Sequence, residues 1–366
     1  MKLGIVGLPN AGKSTLFSAV MQKAAEASNY PFCTIDPNVG RVPVPDERLD
    51  RLNEMYNAKS VVPATVEMVD IAGLIKGASQ GEGMGNQFLS NIREVDALVH
   101  VVRCFTDENV THVYEVIDPI RDIEIVNLEL VFADLEMVDR RLIKVQKTAR
   151  TDKAFQREAD ILAEIKAVLE AGKPARSLSW DNPDDLKLVE SFTLITQKPV
   201  LYAANVSEDD FTSGKIAAGS PLEALEKFVA SDNSQLLLSC AKLEAELAVL
   251  DPEEKEMFME AMGLKQNGLT RIIAAGYELL GLISFLTAGP KEVRAWTVRR
   301  SAKAPQAAGK IHTDLERGFI RAEVVAYTDL IESGNYNTAK EKGLVRIEGK
   351  EYVVQDGDVV LIRFNV

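Results

Sequence analysis

Gly7-Leu8-Pro9-Asn10-Ala11-Gly12-Lys13-Ser14-Thr15, set directly behind the apolar run Leu3-Gly4-Ile5-Val6, constrains this chain more than any other feature. The nine residues match G-x-x-x-x-G-K-[ST] without a departure. They stand where a buried strand ends and where a helix is expected to begin, near Lys13. The glycines let the backbone wrap so that successive N–H groups, from Asn10 through Ala11, Gly12 and Thr15, converge on one point. The helix N-terminus behind them adds a partial positive charge, and the loop therefore suits phosphate oxygens. Lys13 is expected to reach β- and γ-phosphates, and Ser14 to offer its hydroxyl to a magnesium ion.

A strand–loop–helix unit of this kind needs a parallel sheet covered on both faces, and the pattern downstream supplies one. Thr65–Ile71, Ala97–Val102, Pro199–Asn205 and Gln235–Ser239 read as further buried strands separated by helices. Between Asp122 and Gly172 the period changes. Leu128, Val131, Leu135, Val138, Leu142 and Val145 alternate at spacings of 3 and 4, the seam of a coiled coil, and Ile161, Ile165 and Val168 begin a second helix. A helical hairpin inserted in the sheet domain is predicted, with two ordinary surface helices as the alternative. After Leu282 short β-rich segments appear at Val293–Val298, Phe319–Tyr327, Glu351–Val354 and Asp358–Phe364. The expected fold class is α/β with a C-terminal α+β domain. The expected domains are a sheet domain from 1–122 and 198–282, a helical insertion at 123–197 and a compact unit at 283–366.

Charge and composition narrow the function classes. A formal net charge of −13 argues against a protein that coats nucleic acid with its whole surface. Residues 283–366 carry 13 Lys/Arg against 11 Asp/Glu, which leaves 29 against 44 elsewhere, and so the C-terminal unit invites a different partner. No apolar run reaches the roughly 18 residues a membrane helix needs. A strand beginning at Leu3 leaves no room for a signal peptide, so a cytoplasmic protein with no membrane partner is expected. Three cysteines, Cys33, Cys104 and Cys240, suggest neither a disulfide framework nor a metal site.

Two more elements fit the phosphate site. Asp70-Ile71-Ala72-Gly73 closes an apolar strand and matches D-x-x-G, in which Asp70 holds magnesium through a water and the Gly73 N–H meets the γ-phosphate. Thr34 is either a second hydroxyl ligand of the metal or an ordinary loop threonine. Taken together, the residues resemble the Obg-like ATPases of the YchF type, a class of P-loop NTPases. The likeness covers essentially the whole chain. It rests on Gly7-Leu8-Pro9-Asn10, Tyr30-Pro31-Phe32-Cys33-Thr34, Asp70 to Leu74, Lys76-Gly77-Ala78, Gly81-Glu82-Gly83, Gly85-Asn86, Asn205-Val206-Ser207-Glu208 and the stretch Ala304 to Asp314. The resemblance implies that Thr34 is the magnesium threonine of the first switch loop. It also implies that the C-terminal unit is a TGS-like β-grasp domain.

Base choice is legible in Asn205-Val206-Ser207-Glu208. Guanine readers carry N-K-x-D there, and the Asp accepts two hydrogen bonds from the base. Here the Lys is Val206 and the carboxylate of Glu208 is one methylene longer, so that grip is poorly placed. Adenine would be read by backbone near Val206, and ATP is expected over GTP, as the resemblance also implies. Leu74 stands where Ras-like enzymes place a water-orienting Gln, so slow turnover is expected. Of three histidines, His100 reads as core and His312 belongs to the C-terminal unit. His112 is either the missing water contact or a surface residue. The leading expectation is a slow ATPase switch that engages the ribosome or structured RNA through the TGS-like unit and the hairpin. Arg294, Arg299, Arg300, Lys303, Lys310, Arg317 and Arg321 are the candidate phosphate contacts. A GTPase of the same fold and a nucleotide-gated scaffold without turnover remain open alternatives.

Overall fold

A computed structural model describes residues 1–26, 38–71, 84–107, 110–114 and 116–365. Thr34, Gly73 and Leu74 lie outside the described residues. In chain order the strands are β1 (Lys2–Val6), β2 (Val39–Pro43), β3 (Val61–Val62), β4 (Thr65–Asp70), β5 (Ala97–Arg103) and β6 (Val200–Asn205). They continue with β7 (Gln235–Ser239), β8 (Leu282–Ala288), β9 (Val293–Arg299), β10 (Phe319–Ala326), β11 (Arg346–Glu348) and β12 (Asp358–Phe364). The fold is α/β with a separate C-terminal sheet. One compact unit comprises Met1–Lys23 and Glu67–Ile272, and the other takes Arg41–Val66 with Ile273–Val366.

The first sheet has the order β2-β4-β1-β5-β6-β7. β1 pairs in parallel with β4 and β5, β5 with β6, and β6 with β7. Strands β5 and β6 are buried at every position, as strands covered on both faces are, and within their mostly apolar runs they bury His100, Arg103 and Asn205 as well. Register brings the carboxyl ends together: Asp70 lies beside Ile5, Arg103 beside Asn205, and Asn205 beside Ser239. Ligands of open parallel sheets bind at that edge.

The predicted hairpin is present. Helix Pro119–Ala149 opens on an Asp118 cap that accepts from the Arg121 N–H at 3.1 Å, with Pro119 in its first turn. Helix Gln156–Glu170 packs back against it. The first half of the long helix buries Ile123, Val126, Leu130 and Ala133 in the core of the sheet. The second half buries Val138, Leu142 and Val145 against Ile161, Leu162, Ile165 and Leu169. Both predicted alternatives are thus partly realised on one helix, packed on the sheet first and afterwards against its hairpin partner together with Ala175, Val189, Phe192 and Leu194. Leu128 is 41% exposed and drops out of the predicted seam. Asp134, fully buried at the junction, accepts from the N–H groups of Ile195 and Thr196 at 3.1 and 2.7 Å and from the Thr196 hydroxyl at 2.7 Å. Those bonds fix the hairpin to the segment that leads into β6.

The second sheet has the order β11-β10-β12-β8-β9-β3. β8 and β9 form an antiparallel pair, β10 pairs antiparallel with β11 and β12, and β12 lies parallel to β8. That is the β-grasp arrangement, with helix Ala304–Ile311 packing Ala304, Ala307 and Ala308 on one face. Two sequence expectations are corrected. Glu351–Val354 makes no ladder beyond a Lys303–Val353 bridge, because the Tyr352 carbonyl and the Val354 N–H bond the 302–304 segment instead. The strand expected to run through Tyr327 stops at Ala326, where helix Tyr327–Ser333 starts. Strands β2, β3, β8 and β11 are additions to the expected set.

Candidate nucleotide site

The loop between β1 and helix Lys13–Glu26 is shaped by three residues at positive φ. These are Gly7 at 148°, Asn10 at 62° and Gly12 at 99°. A Cβ at Gly7 would collide with the Val101 carbonyl, and one at Gly12 with the amide of Asn205. Only glycine meets both the angle and the space at these two positions. The Asn205 side chain donates to the Ala11 carbonyl at 3.0 Å and accepts from the Ala241 N–H at 2.9 Å. It is 3% exposed and braces the phosphate loop against the helix Ala241–Ala248.

Lys13 is 6% exposed, and its Nζ donates to the Leu8 carbonyl at 2.7 Å. Burial pulls the ammonium down to about 8, partly opposed by the charge of Asp70. Burial likewise raises the Asp70 carboxyl, opposed by Lys13. Asp70 Oδ1 is buried with no hydrogen-bond partner among the described residues. An unpaired buried carboxylate oxygen and the exposed hydroxyl of Ser14 suit a hard cation that takes few protein oxygens and completes its shell with phosphate and water.

The state of Lys13 has a measurable consequence. Arriving phosphates favour its charged form, so the complex keeps a proton that the free protein releases above about pH 8. ATP affinity, titrated in EDTA, is therefore expected to be flat below about pH 8 and to fall above it. The slope should approach one proton per nucleotide. A flat profile to about pH 9.5 would show that Lys13 does not change its proton affinity on binding.

A cleft of about 890 Å³ opens from this loop, lined by Asn10, Gly12 to Thr15, Asn205 to Asp209, Phe105 to Asp107 and residues of helix Ala241–Ala248. Val206 is 2% exposed, and its N–H bonds the Ser239 carbonyl at 2.9 Å. Glu208 stands at the cleft wall, ion-paired to Lys242 at 2.9 Å. Phe105, Cys240 and Lys242 are site residues that the sequence patterns above do not single out. Ser239-Cys240-Ala241-Lys242 does carry a signal, since it follows a buried strand and opens a helix at the same sheet edge as the phosphate loop.

Arg103 organises the loop after β5. Its guanidinium donates to the carbonyls of Phe105 at 3.2 Å, Val110 at 2.9 Å and Thr111 at 3.4 Å, and it lies over the Phe105 ring. Asn10 ties the same loop to the phosphate loop through the Thr111 carbonyl at 3.0 Å. His112 follows, 8% exposed, with Nε2 on Asp122 at 2.8 Å and Nδ1 accepting from the Tyr114 N–H at 3.1 Å. Both ring nitrogens are thus engaged by the protein. His100 is buried beside Tyr202, and burial lowers its pKa to about 3, as a neutral core residue requires.

The parallel sheet, the glycine-lined loop and the buried Lys13 facing Asp70 define a P-loop nucleotide-binding protein. Residues 2–133 match the MMR_HSR1 family, described as "50S ribosome-binding GTPase", and residues 282–365 match YchF-GTPase_C, described as "Protein of unknown function". The chain is 54% identical to the "Ribosome-binding ATPase YchF" of Bacillus subtilis, over 99% of each chain. It is 45% identical to "Obg-like ATPase 1" of Rattus norvegicus, over 100% of this chain and 92% of the relative. A solved structure titled "Structure of the Schizosaccharomyces pombe YchF GTPase" superposes with a TM-score of 0.89 at 40% identity, over 99% of this chain and 97% of that one. The chain belongs to the YchF family of Obg-like ATPases.

Proposed function

We propose that this protein binds ATP with magnesium, hydrolyses it slowly, and uses the exchange as a switch in engaging the ribosome in the cytoplasm. One observation supports the reading: a single cleft joins the phosphate loop to residues 205–209, where the lysine and the aspartate of guanine readers are replaced by Val206 and Glu208. Guanine recognition needs a free carboxylate, whereas Glu208 is directed to Lys242 and the neighbouring position is a buried Val206. The exposed ion pair is worth only about 0–1 kcal/mol, so the longer reach of Glu208 and the missing lysine matter more. Names of relatives support the partner and the activity, since those proteins are called ribosome-binding ATPases. No helix among the described residues is long and apolar enough to cross a membrane.

In this reading the N–H groups of Asn10 to Thr15 and the Lys13 ammonium hold the phosphates. Ser14 and Thr34 would hold magnesium directly and Asp70 through a water, and the ion would supply charge neutralisation on the phosphate oxygens when bound. Gly73 meets the γ-phosphate, and His112 orients the attacking water. For that task a His112 nitrogen must leave Asp122 or the Tyr114 N–H, a rearrangement that would slow the basal rate. The same engagement favours the scaffold reading for the resting protein. Competition of ATP and GTP, with magnesium and with EDTA, tests the base choice. ATP should bind at least as tightly as GTP, and a GTP preference of about tenfold, or 1.4 kcal/mol, overturns it. Turnover with and without ribosomes, in wild type and His112→Ala, separates switch from scaffold.

A further inference from the structure

Arg103 ends β5 beside Asn205, and it is only 3% exposed although it carries a charge. Among the described residues its hydrogen bonds all go to main-chain carbonyls of the loop that follows. Nε donates to Phe105 at 3.2 Å, Nη1 to Thr111 at 3.4 Å, and Nη2 to Val110 at 2.9 Å and Asp107 at 3.5 Å. The guanidinium carbon also lies 4.6 Å from the centre of the Phe105 ring. The two arms of this loop serve different ends. Phe105 and Asp107, on the arm that leaves β5, line the nucleotide cleft. Val110 and Thr111 lead directly into His112, whose nitrogens are held by Asp122 and the Tyr114 N–H. The Thr111 carbonyl accepts from Asn10 of the phosphate loop as well, at 3.0 Å. One planar fork therefore holds both the cleft wall and the turn before His112.

We propose that Arg103 is a positioning residue that couples occupation of the base side of the cleft to release of His112 for hydrolysis. This role deepens the ATPase reading and rests on His112 as the water contact. A base that enters the cleft bears on the wall to which Phe105 belongs, and the guanidinium lies against that ring. The N–H groups of the fork are fixed in one plane, so a shift at Phe105 alters its hold on Val110 and Thr111 too. Burial keeps water from replacing a carbonyl that is let go, and the chain itself must respond. Lysine is a poor substitute, because its ammonium is a point charge with three rotatable donors and no fixed fork. An arginine that only capped these carbonyls would leave turnover indifferent to what the base side of the cleft holds.

The test compares full-length Arg103→Lys with wild type, using ATP and inorganic tripolyphosphate, which offers phosphates to the loop but has no base. Phosphate release gives kcat and KM, competition against a fluorescent ATP analogue gives both affinities, and a thermal melt follows the fold. ATP affinity should fall about tenfold, the scale of one weakened base contact. With it kcat should fall about ten- to a hundredfold, as when a reacting group is misplaced by about 1 Å. Tripolyphosphate affinity should hold, because Lys13 and the N–H groups of the phosphate loop are untouched. Equal losses for ATP and tripolyphosphate overturn the proposal, since Arg103 would then merely support the loop. A raised KM with kcat unmoved overturns it as well, because the two arms would not be coupled. Where the lysine protein melts early, Phe105→Leu carries the test with the main-chain carbonyls of Arg103 still in place. It should lower ATP affinity and kcat together, and kcat unmoved overturns the coupling. His112→Ala run beside them keeps the two readings apart. Wild-type kcat in that variant removes His112 from the reaction and overturns the proposal with it. A lowered kcat there, next to an unmoved kcat in Arg103→Lys, overturns the coupling alone and leaves the ATPase reading intact.

Discussion

Lys13→Ala is expected to weaken ATP binding by at least about a hundredfold, since a charge-assisted contact contributes roughly 1.5–3 kcal/mol and the proposed site gives Lys13 more than one phosphate to hold. The fold should survive. In the free protein the ammonium is buried and, among the described residues, bonds the Leu8 carbonyl alone, so its removal relieves a desolvation cost while breaking that hydrogen bond. A fluorescent ATP analogue reads the affinity, and a thermal melt reads the fold. Near wild-type affinity with an unchanged melt would remove Lys13 from the phosphate site. Loss of both would instead make Lys13 a structural residue.

Asn205→Ala is expected to cost about 2–4 kcal/mol of stability and to weaken nucleotide binding as well. The substitution leaves the Ala11 carbonyl and the Ala241 N–H buried without partners, each worth roughly 1–3 kcal/mol. The phosphate loop then loses the brace that holds its carbonyl turned away from the cleft. Asn205→Asp separates the two bonds. It keeps an acceptor for Ala241 but sets a carboxylate oxygen against the Ala11 carbonyl, and so should recover only part of the loss. Denaturant midpoints measure both variants, and a cost below about 1 kcal/mol for the alanine protein would show that the brace is dispensable.

What the sequence reveals depends on how local the physics is. The phosphate loop is legible because strand, turn and helix cap are contiguous, and each constrains the next. The sequence pattern singles out Asn205, but its bracing bonds are not legible, because both partners are backbone atoms distant in sequence. Lys242 and Phe105 reach the cleft only because parallel pairing aligns the ends of β5, β6 and β7. No local pattern encodes that alignment. The 3–4 spacing announces the hairpin, while nothing in the sequence sets Asp134 apart from the other acids of that helix as its anchor. Glu351–Val354 misleads because strand-like composition does not specify a partner, and its groups find the 302–304 segment. Leu282–Ala288 is hidden behind the equally apolar helix Gly268–Leu279, with little but Gly281 between them.

The helix Pro119–Ala149 belongs to two cores at once, and that sharing has a consequence for cooperativity. Opening the hairpin around Val138 and Leu142 is a local event as long as Leu130 and Ala133 stay seated under the sheet. Asp134 sits at the border, and its bonds to Ile195 and Thr196 close the gap between the two regimes. Unwinding that passes Asp134 strips apolar cover from the sheet itself and frees the segment that enters β6. The outer helix can therefore fray reversibly, whereas disorder crossing one buried carboxylate commits the whole nucleotide-binding unit to unfold.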